Sequence, residues 1–292
     1  MISLMKQKRV KPSWFKMKIP SSPNFFLLKK ILKELQLTTV CEEAKCPNIG
    51  HCWSKKTATF MILGDICTRN CRFCAVKKGI PLPLNPEEPF LIAKAVKALG
   101  IKYAVITSVT RDDLSDGGAS VFVNTIDAIR KLNRNVKIEI LIPDFNGNEE
   151  SLYKVFEAKP EILNHNLETV EKLYPLINRP SSFYLRSLQI LEKAKKYNLV
   201  TKSGIMVGLG ENKQQIIKTL KDLRSVDCDI LTIGQYLQPT KNHIPVKKYY
   251  REEEFHELKL IGKELGFKWV EAGPLVRSSF HAQQIYEETG LQ

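Results

Sequence analysis

The stretch VCEEAKCPNIGHCWSKKTATFMILGDICTRNCRFCAV, residues 40–76, contains six of the seven cysteines of the chain. They form two triplets: Cys41, Cys46 and Cys52 with the spacing C-x4-C-x5-C, then Cys67, Cys71 and Cys74 with the spacing C-x3-C-x2-C. Thiolates grouped in this way select iron-sulfur clusters, zinc or copper rather than hard cations. Each triplet is one ligand short of four. Each predicted metal centre therefore keeps a position for a substrate, a cofactor or an unusual fourth residue.

The same stretch indicates the fold. Residues 57–63 are a β-branched and apolar run that predicts a buried strand ending at Gly64. The second triplet begins just past the carboxyl end of this strand. Ligands bind at that end of the strands in parallel α/β folds. The position of the triplet therefore favours a parallel α/β protein with its site among the loops.

Downstream of the cysteines, strand patterns alternate with helix patterns. Strands are predicted at residues 103–108, 136–142, 162–164, 201–207, 230–233 and 267–270, and helices at 89–99, 118–132, 152–156, 167–177, 184–197, 213–223 and 255–265. This alternation predicts an α/β fold, a partial (βα)6 TIM-type barrel with N-terminal and C-terminal extensions, counting six or seven strand-helix units. We expect three parts: an extension with the first triplet (1–54), the barrel core (55–271) and a C-terminal segment (272–292).

The N-terminus has its own pattern. Residues 1–21 are basic and predict an extended arm. Ser21 or Ser22 is placed to cap a helix that starts near Pro23, where apolar residues follow at helical spacing. This helix leads into the first triplet.

Composition limits the class of protein. The chain has 292 residues, 43% of them hydrophobic, which is enough for one large barrel. Its net charge of +14 would attract an acidic protein or a nucleic acid, and would equally suit a generally basic solvated surface. The sequence shows no apolar run of membrane-spanning length and no secretory leader, and its metal-like cysteine spacings favour a cytoplasmic protein. Residues 1–33 lack acidic residues, which is also typical of a transit peptide.

The second triplet has a specific pattern around it. A strand followed by C-x3-C-x2-C, with Phe73 directly before the last cysteine, resembles the signature of the radical S-adenosylmethionine (SAM) superfamily. The resemblance implies that this triplet holds a 4Fe-4S cluster whose fourth iron binds SAM. Reduction of the cluster would then cleave SAM to a 5'-deoxyadenosyl radical. A zinc site or a chance group of structural cysteines is the alternative interpretation.

The first triplet by itself fits zinc or an auxiliary iron-sulfur cluster equally well. His51 is adjacent to Cys52 and is poorly placed to complete a tetrahedral zinc site with it. Near the C-terminus stands GPLVRSSFHA, residues 273–282. The two triplets and this R-S-S motif together resemble the lipoyl synthase family, over residues 11–282. The resemblance implies an auxiliary 4Fe-4S cluster on the first triplet with Ser279 as its fourth ligand, a hard oxygen on a soft-metal site.

Phe280 departs from the family pattern, in which a tyrosine follows the two serines. The aromatic ring is kept, but the hydrogen bond of a phenol is lost. Ser278 and Ser279 also have an alternative interpretation as the N-cap of a final helix that begins near His281. One serine could cap that helix while the other binds iron.

Polar motifs follow several predicted strands. Asp116-Gly117-Gly118 and the glycines of residues 202–211 are placed for close approach of the backbone to a ligand. His165 is expected near the site, and His243 and His256 at its periphery. By resemblance to the family, the cofactor-binding candidates are Phe73, Thr107, Ser108, Asn166, Glu168, Arg179 and Arg186. Helix capping and surface ion pairs are the alternative interpretation of each polar member.

The resemblance also implies the reaction. The 5'-deoxyadenosyl radical removes a hydrogen from C6 of a protein-bound octanoyl-lysine, the carbon radical attacks a sulfide of the auxiliary cluster, and a second SAM repeats the step at C8. The catalytic residues would be Cys67, Cys71, Cys74 and Ser279, and the metal ligands all six clustered cysteines with Ser279.

The resemblance implies partners as well. They are octanoylated lipoyl carrier domains (E2 subunits of 2-oxoacid dehydrogenases and the glycine cleavage H protein), a reducing electron-transfer protein such as flavodoxin or ferredoxin, and a cluster-repair protein. Neither nucleic acid nor a membrane is expected as a partner.

Two other functions remain open from the residues. A radical SAM enzyme that methylthiolates RNA would fit the positive charge, but such enzymes are expected to carry further modules, and no RNA-binding motif is visible. A zinc-stabilised nucleic-acid binder would contain zinc in place of iron and sulfide.

Overall fold

The structure is a computed structural model that describes residues 12, 14 and 21–290. The predicted basic arm, residues 1–21, lies outside the described residues except for Pro12, Trp14 and Ser21. Trp14 packs edge-on against Tyr249, with 6.1 Å between the ring centroids. Within the described part of the chain, no helix is long and apolar enough to cross a lipid bilayer.

The elements follow one another in the predicted alternation. In chain order they are α1 (Pro23–Glu34), β1 (Thr38–Thr39), α2 (Val40–Glu43), α3 (Ile49–Ser54), β2 (Thr59–Ile62), β3 (Ile66–Cys67), β4 (Lys77–Lys78), α4 (Glu88–Leu99), β5 (Tyr103–Ser108), α5 (Ala119–Leu132), β6 (Lys137–Leu141), a 3-10 helix (Phe145–Gly147), α6 (Glu149–Glu157), β7 (Ile162–Asn164), a second 3-10 helix (Glu171–Leu173), α7 (Ser182–Lys196), β8 (Val200–Val207), α8 (Lys213–Ser225), β9 (Ile230–Gln235), α9 (Glu252–Glu264), β10 (Trp269–Gly273) and α10 (Ala282–Thr289).

The main sheet has eight strands in the order β1-β2-β5-β6-β7-β8-β9-β10. All neighbours from β2 to β10 are parallel, and the two-residue β1 joins β2 antiparallel. Within residues 21–290 the two outer strands, β1 and β10, do not pair with each other, so the sheet stays open. Six strand-helix units, followed by a seventh parallel strand at the edge of the open sheet, confirm the predicted partial (βα)6 barrel.

The sheet is buried because helices cover its outer face. Ala104, Ile138 and Leu163 on three neighbouring strands have no exposed surface. Among the covering helices, α5 places Phe122 and Ile126 on one buried face at helical spacing. Each fully buried side chain of this size stabilises the fold by roughly 1.5–3 kcal/mol. Buried apolar strands with amphipathic helices between them are what a parallel sheet requires.

The first helix begins where the sequence predicts it. Ser22 caps α1, with its Oγ accepting a hydrogen bond from Phe25 N at 3.1 Å, and Pro23 occupies the first helical position. Phe25 packs on the fully buried Trp53 of α3, with 5.1 Å between ring centroids. This contact joins α1 to α3, the helix that carries Cys52.

The helix predicted for residues 167–177 is wrong. The structure has the 3-10 helix Glu171–Leu173 and turns there instead. Pro175 cannot donate to a helical hydrogen bond, and Glu168 has a φ of +69°, outside the helical region. Residues at helical spacing are buried here without a helix. The turn buries Tyr174, whose OH donates to Leu167 O at 2.6 Å.

A buried ion pair joins β6 to β8. Lys202 Nζ lies 2.9 and 3.1 Å from the two carboxylate oxygens of Glu139, and both side chains are completely buried. Tyr103 OH and Asn164 Nδ2 donate to the same carboxylate at 2.9 and 3.1 Å. Both buried charges are therefore compensated, and the loss of one partner would expose the full cost of burying the other.

Lys202→Met should lower the free energy of unfolding by about 3–5 kcal/mol, because Glu139 would remain buried without its cation. The thermal midpoint of the purified protein measures the change. Lys213→Met, which removes one partner of an exposed pair with Glu257, is the matched control and should change stability by at most about 1 kcal/mol. An equally small effect of both substitutions would show that the buried carboxylate does not depend on Lys202 for its compensation.

Candidate active site

A cavity of about 540 Å³ lies at the carboxyl ends of the parallel strands. Its wall contains the ends of β5, β6, β8 and β9 and the residues that follow β7. It also contains both cysteine triplets and the R-S-S motif: Cys41, Cys46, Cys52, Cys67, Cys71, Cys74, Arg277, Ser278 and Ser279. The structure thus brings three distant segments of the sequence to one cavity.

The second triplet begins in β3 and continues along the loop to β4. The backbone N–H groups of Arg69 and Thr110 each donate to Cys67 Sγ at 3.4 Å, and these contacts hold the sulfur at the cavity wall. Burial raises the pKa of Cys74 to about 11, and repulsion from Cys71 and Cys67 contributes to the rise. The three cysteines therefore lie close enough to interact electrostatically, and a cationic cluster core between them would relieve this repulsion.

The first triplet has the same electrostatic character. Cys41 lies on α2, which Thr39 caps, and Cys52 lies on α3. Burial raises the pKa of Cys41 to about 11, with a further rise from Cys46. Burial, then repulsion from Cys46 and Cys41, raises the pKa of Cys52 to about 12. These three thiols also interact electrostatically, and all three residues line the cavity, as a second cluster site requires.

The R-S-S motif reaches the first triplet through the segment after β10. Asn48, between Cys46 and Cys52, donates from Nδ2 to Leu275 O at 2.6 Å across 227 residues of sequence. Burial lowers the pKa of the Arg277 guanidinium, and the nearby Cys46 opposes this shift. The motif and the triplet are therefore neighbours in the cavity wall. That Ser279 is an iron ligand stays a prediction.

Phe280, at the position where the family pattern has a tyrosine, packs against neighbouring rings. The ring of Phe280 stacks on His281 with 3.8 Å between centroids, and it lies 6.2 Å from the ring of His51. The serine-cap interpretation is wrong: α10 begins after His281, which has a φ of +54° and no side-chain cap. The serines of the motif precede the helix and belong to the cavity wall.

The cavity wall also contains buried polar atoms without partners. Ser108 Oγ and Asn166 Oδ1 are buried and have no hydrogen-bond partner among the described residues. A Cβ at Gly204 would lie only 2.6 Å from Thr232 Oγ1 and 2.9 Å from Asn166 Oδ1, so only glycine fits there. Thr107, the remaining polar candidate here, donates to Leu141 O at 3.0 Å. Buried unpaired acceptors fit the amino group of a ligand such as SAM.

Glu168 and Arg179 form a charged pair in the wall, 3.7 Å apart. Burial raises the pKa of Glu168, while Arg179 and a hydrogen bond from Asn166 oppose the rise. The backbone of Glu168 has a φ of +69°, in the left-handed region that non-glycine residues adopt at some energetic cost. Hydrogen bonds from Glu168 N to Gly204 O (3.1 Å) and from Met206 N to Glu168 O (2.7 Å) hold it in place. Phe73 also lines the cavity, with Arg179 5.9 Å from its ring centroid.

A second charged group lies beside the cavity. Asp144 accepts from Arg69 at 2.6 Å and from Arg186 at 3.0 Å. Burial alone would raise the pKa of Asp144, but these two arginines outweigh it and lower the pKa to about 2. Arg186 is not part of the cavity wall, so its predicted contact with SAM stays a prediction while the structure pairs it with Asp144.

Sequence reasoning missed Arg69 and Asp144, which both line the cavity. A signal was available for Asp144, because it follows β6 as Asn166 follows β7. Asp116 and Gly118 do not line the cavity. Asp116 instead accepts from Gly118 N and Ser120 N at 2.9 and 2.8 Å at the start of α5, as the capping alternative expected.

The histidines are placed partly as expected. His165 lines the cavity, but its two ring nitrogens are engaged by Ile142 O at 2.9 Å and Ser187 Oγ at 3.0 Å. Burial lowers its pKa to about 4, so it is neutral at pH 7. His256 is exposed, as predicted. His243 lies outside the cavity wall, at the periphery as predicted, although its Nε2 lies 2.9 Å from Cys74 O.

In the part of the chain that the structure describes, no three His, Cys, Asp or Glu side chains are placed to share a single metal ion. The wall of cysteines, orphaned polar atoms and a glycine cradle fits two clusters and SAM.

Comparison with known proteins agrees with this geometry. Residues 61–223 match the Radical SAM superfamily, and residues 2–46 match the N-terminal domain of lipoyl synthase of that family. Two solved structures share the fold: methylornithine synthase (PylB), with a TM-score of 0.51, 15% identity and coverage of 86% of this chain and 82% of that one, and HydG, a maturase of the FeFe-hydrogenase, with a TM-score of 0.56, 14% identity and coverage of 91% and 68%.

Similar sequences are lipoyl synthases. The lipoyl synthase of Rubrobacter xylanophilus is 52% identical over 280 residues, 95% of this chain and 87% of the relative. That of Caldanaerobacter subterraneus subsp. tengcongensis is 54% identical over 274 residues, 93% of this chain and 95% of the relative. With two cysteine triplets and the R-S-S motif around one cavity of a radical SAM barrel, the chain belongs to the lipoyl synthase family.

Proposed function

We propose that the two cysteine triplets divide the reaction of the lipoyl synthase family between them. Cys67, Cys71 and Cys74 would hold the cluster that binds SAM. Cys41, Cys46 and Cys52, with Ser279, would hold the auxiliary cluster that donates sulfur. The observation that carries the proposal is that both triplets and the serine line one cavity. The enzyme is a radical SAM sulfurtransferase that inserts two sulfur atoms at C6 and C8 of a protein-bound octanoyl-lysine.

When bound, the clusters and SAM would supply the redox chemistry, namely reductive cleavage of a carbon–sulfur bond of SAM at Cys67, Cys71 and Cys74 and sulfide from the auxiliary site. The residues of the chain position the reactants. Asn166 and Ser108 offer their unpaired oxygens to the amino group of SAM, and Arg179 offers a cation to its carboxylate. Glu168, held beside Arg179, is placed to accept from a ribose hydroxyl or the amino group. These assignments follow from the chemistry of each group.

The substrate chain requires an apolar path between the two clusters. The cavity of about 540 Å³, which the chain would share with the clusters and SAM, lies within the usual size of small-molecule sites. Exclusion of water there protects the carbon radical from side reactions. The apolar residues of the wall include Val40, Met61, Val76, Val109, Ile142, Ile205, Met206, Tyr236, Leu237 and Val276.

Partners and location belong to the proposal. Lipoyl synthases act on lipoyl carrier proteins; E2 subunits of 2-oxoacid dehydrogenases and the glycine cleavage H protein are the specific carriers we propose. The net charge of +14 would speed encounter with acidic carriers. We also propose a flavodoxin or ferredoxin as electron donor, a cluster-repair protein, a cytoplasmic location and the division of the chain at residues 54 and 271. Family membership sets aside RNA methylthiolation and the zinc-stabilised nucleic-acid binder.

Cys46→Ala should separate the two clusters. Anaerobically reconstituted wild-type protein should contain about eight irons and eight sulfides, and the variant about four of each. The variant should still cleave SAM but form no thiolated product on an octanoylated carrier peptide, as mass spectrometry would show. Cys228→Ala, a buried cysteine outside both triplets, is the control and should keep both clusters and activity. A lipoyl product from Cys46→Ala would refute the assignment of the sulfur donor.

Ser279→Ala should remove the oxygen ligand of the auxiliary cluster alone. Iron content should fall toward about four per chain, and the Mössbauer signal of the auxiliary cluster should change while that of the SAM cluster stays. Ser278→Ala changes the adjacent serine in the same wall and serves as the control. Identical spectra and turnover of both variants and the wild type would show that Ser279 binds no iron.

Asn48→Ala should loosen the segment that presents Ser279. The substitution leaves Leu275 O without its donor, at a cost of about 1–3 kcal/mol, and should lower iron occupancy at the first triplet selectively. Asn133→Ala removes a similar amide-to-carbonyl bond, to Ala93 O at 3.1 Å, remote from the triplet. That control should lose stability but keep its iron. Equal iron contents in the two variants would argue against a positioning role for Asn48.

A further inference from the structure

A second cavity lies on the other side of the loop that carries the SAM cluster ligands. Its volume is about 450 Å³, and it is lined by Asn70, Arg72, Lys78, Asn178, Asn242 and His243. None of these residues lines the active-site cavity. The loop alternates between the two: Cys71 and Phe73 line the inner cavity, whereas Asn70 and Arg72 line the outer one. We call the six residues of the second cavity the outer pocket.

The outer pocket is positively charged and contains no acidic residue. Arg72 and Lys78 are exposed, and neither forms a salt bridge with any residue in the described ranges. Lys241, exposed in the turn that holds Asn242 and His243, also has no acidic partner there. Three uncompensated cations around one depression are complementary to an acidic partner.

Apolar side chains continue from this charged region. Directly after Lys78, the chain exposes 92% of Ile80 and 70% of Leu82. An apolar strip beside a charged rim is typical of protein contact surfaces. The surface therefore offers both components of a docking site, charge for encounter and apolar area for contact.

The outer pocket is linked directly to a cluster ligand. His243 Nε2 lies 2.9 Å from Cys74 O, and because a carbonyl only accepts, this nitrogen carries the hydrogen. His243 Nδ1 then accepts from Thr240 Oγ1 at 2.8 Å. Ile244 N donates to Arg72 O at 3.3 Å, which fixes the same segment to the cluster loop. A protein bound in the pocket would be separated from the cluster by little more than the loop itself.

We propose that the outer pocket is the docking site for an acidic one-electron donor protein. The proposal rests on the function proposed above, in which SAM and substrate occupy the inner side of the cluster loop, so that the outer side is the open approach. The donor loses one electron and the SAM cluster gains it, with no atom or proton exchanged. Two SAM molecules per octanoyl-lysine require two such electrons, so the donor docks and leaves twice. Small, weak interfaces are usual for such redox encounters.

Neutralisation of the pocket tests the proposal. Arg72→Gln with Lys78→Gln should weaken the binding of a purified flavodoxin, an acidic flavin protein, by roughly threefold to thirtyfold at low ionic strength. The Kd is measured by titration of the flavin fluorescence with the reconstituted enzyme. Raising the salt concentration should shrink the difference. With dithionite, a small reductant that needs no docking site, SAM cleavage by the variant should stay within about twofold of wild type.

The matched control is Lys97→Gln with Lys131→Gln, which removes the same charge from the last turns of α4 and α5. Those helix ends lie at the amino ends of the strands, away from the cluster loop. The control should bind flavodoxin like the wild type. If Arg72→Gln with Lys78→Gln loses iron, Lys241→Gln, outside the loop, takes its place and should weaken flavodoxin binding in the same direction.

Three results would overturn the proposal. The first is an unchanged affinity of the pocket variants for flavodoxin, and the second is an equal loss of affinity in the control variant. The third is a raised KM of the pocket variants for the octanoylated carrier domain with dithionite as reductant, which would make the pocket a carrier site. Absence of dithionite-driven sulfur insertion in the wild type would be a failure of the proposed function instead, and the two failures are therefore distinguishable.

Discussion

All seven longer strands of the sheet run in the same direction, and the site depends on this constraint. In a parallel sheet every strand delivers its following segment to the same edge. The segments after β2, β5, β6, β7, β8, β9 and β10 therefore meet around one cavity. An antiparallel sheet would send alternate segments to opposite edges. The second triplet, Asn166 and Ser279 share a cavity because each follows a strand of the same orientation.

The buried cysteines of the cavity wall favour the binding of a cluster with a positively charged core. Burial and mutual repulsion raise the pKa values of Cys41, Cys52 and Cys74, and a positively charged cluster core would relieve that repulsion. The carboxylates near the cavity are already matched. Asp144 is bound by two arginines and Glu168 by a third, which leaves neither of them as a competing metal ligand.

The segments before and after the open barrel contribute the remaining residues of the cavity wall. Within the segment that carries the first triplet, Phe25 of α1 packs against Trp53 of α3. The C-terminal α10 packs Ala282 and Ile285 against the first residues of β5, β7 and β9, and the preceding loop carries the R-S-S motif to the cavity. The hydrogen bond from Asn48 to Leu275 joins the two ends directly. An auxiliary centre made by both ends would form only after the barrel has folded.

Much of this was determined by local sequence. The cysteine spacings predicted the two sets of metal ligands. The buried apolar run before Cys67 and the alternation of strand and helix patterns predicted the partial barrel. Both kinds of signal depend on residues that are close together in the chain. The helical spacing of apolar residues gave a wrong prediction at residues 167–177. Pro175 and the positive φ of Glu168 are incompatible with a continuous helix, and turns form there instead. Only the tertiary structure decided that Arg69 and Arg186 meet at Asp144, that His243 supports Cys74, and that Ser279 lies in the same wall as the first triplet. Those contacts join residues far apart in the chain, and only the packing of helices on the sheet sets the distances between them.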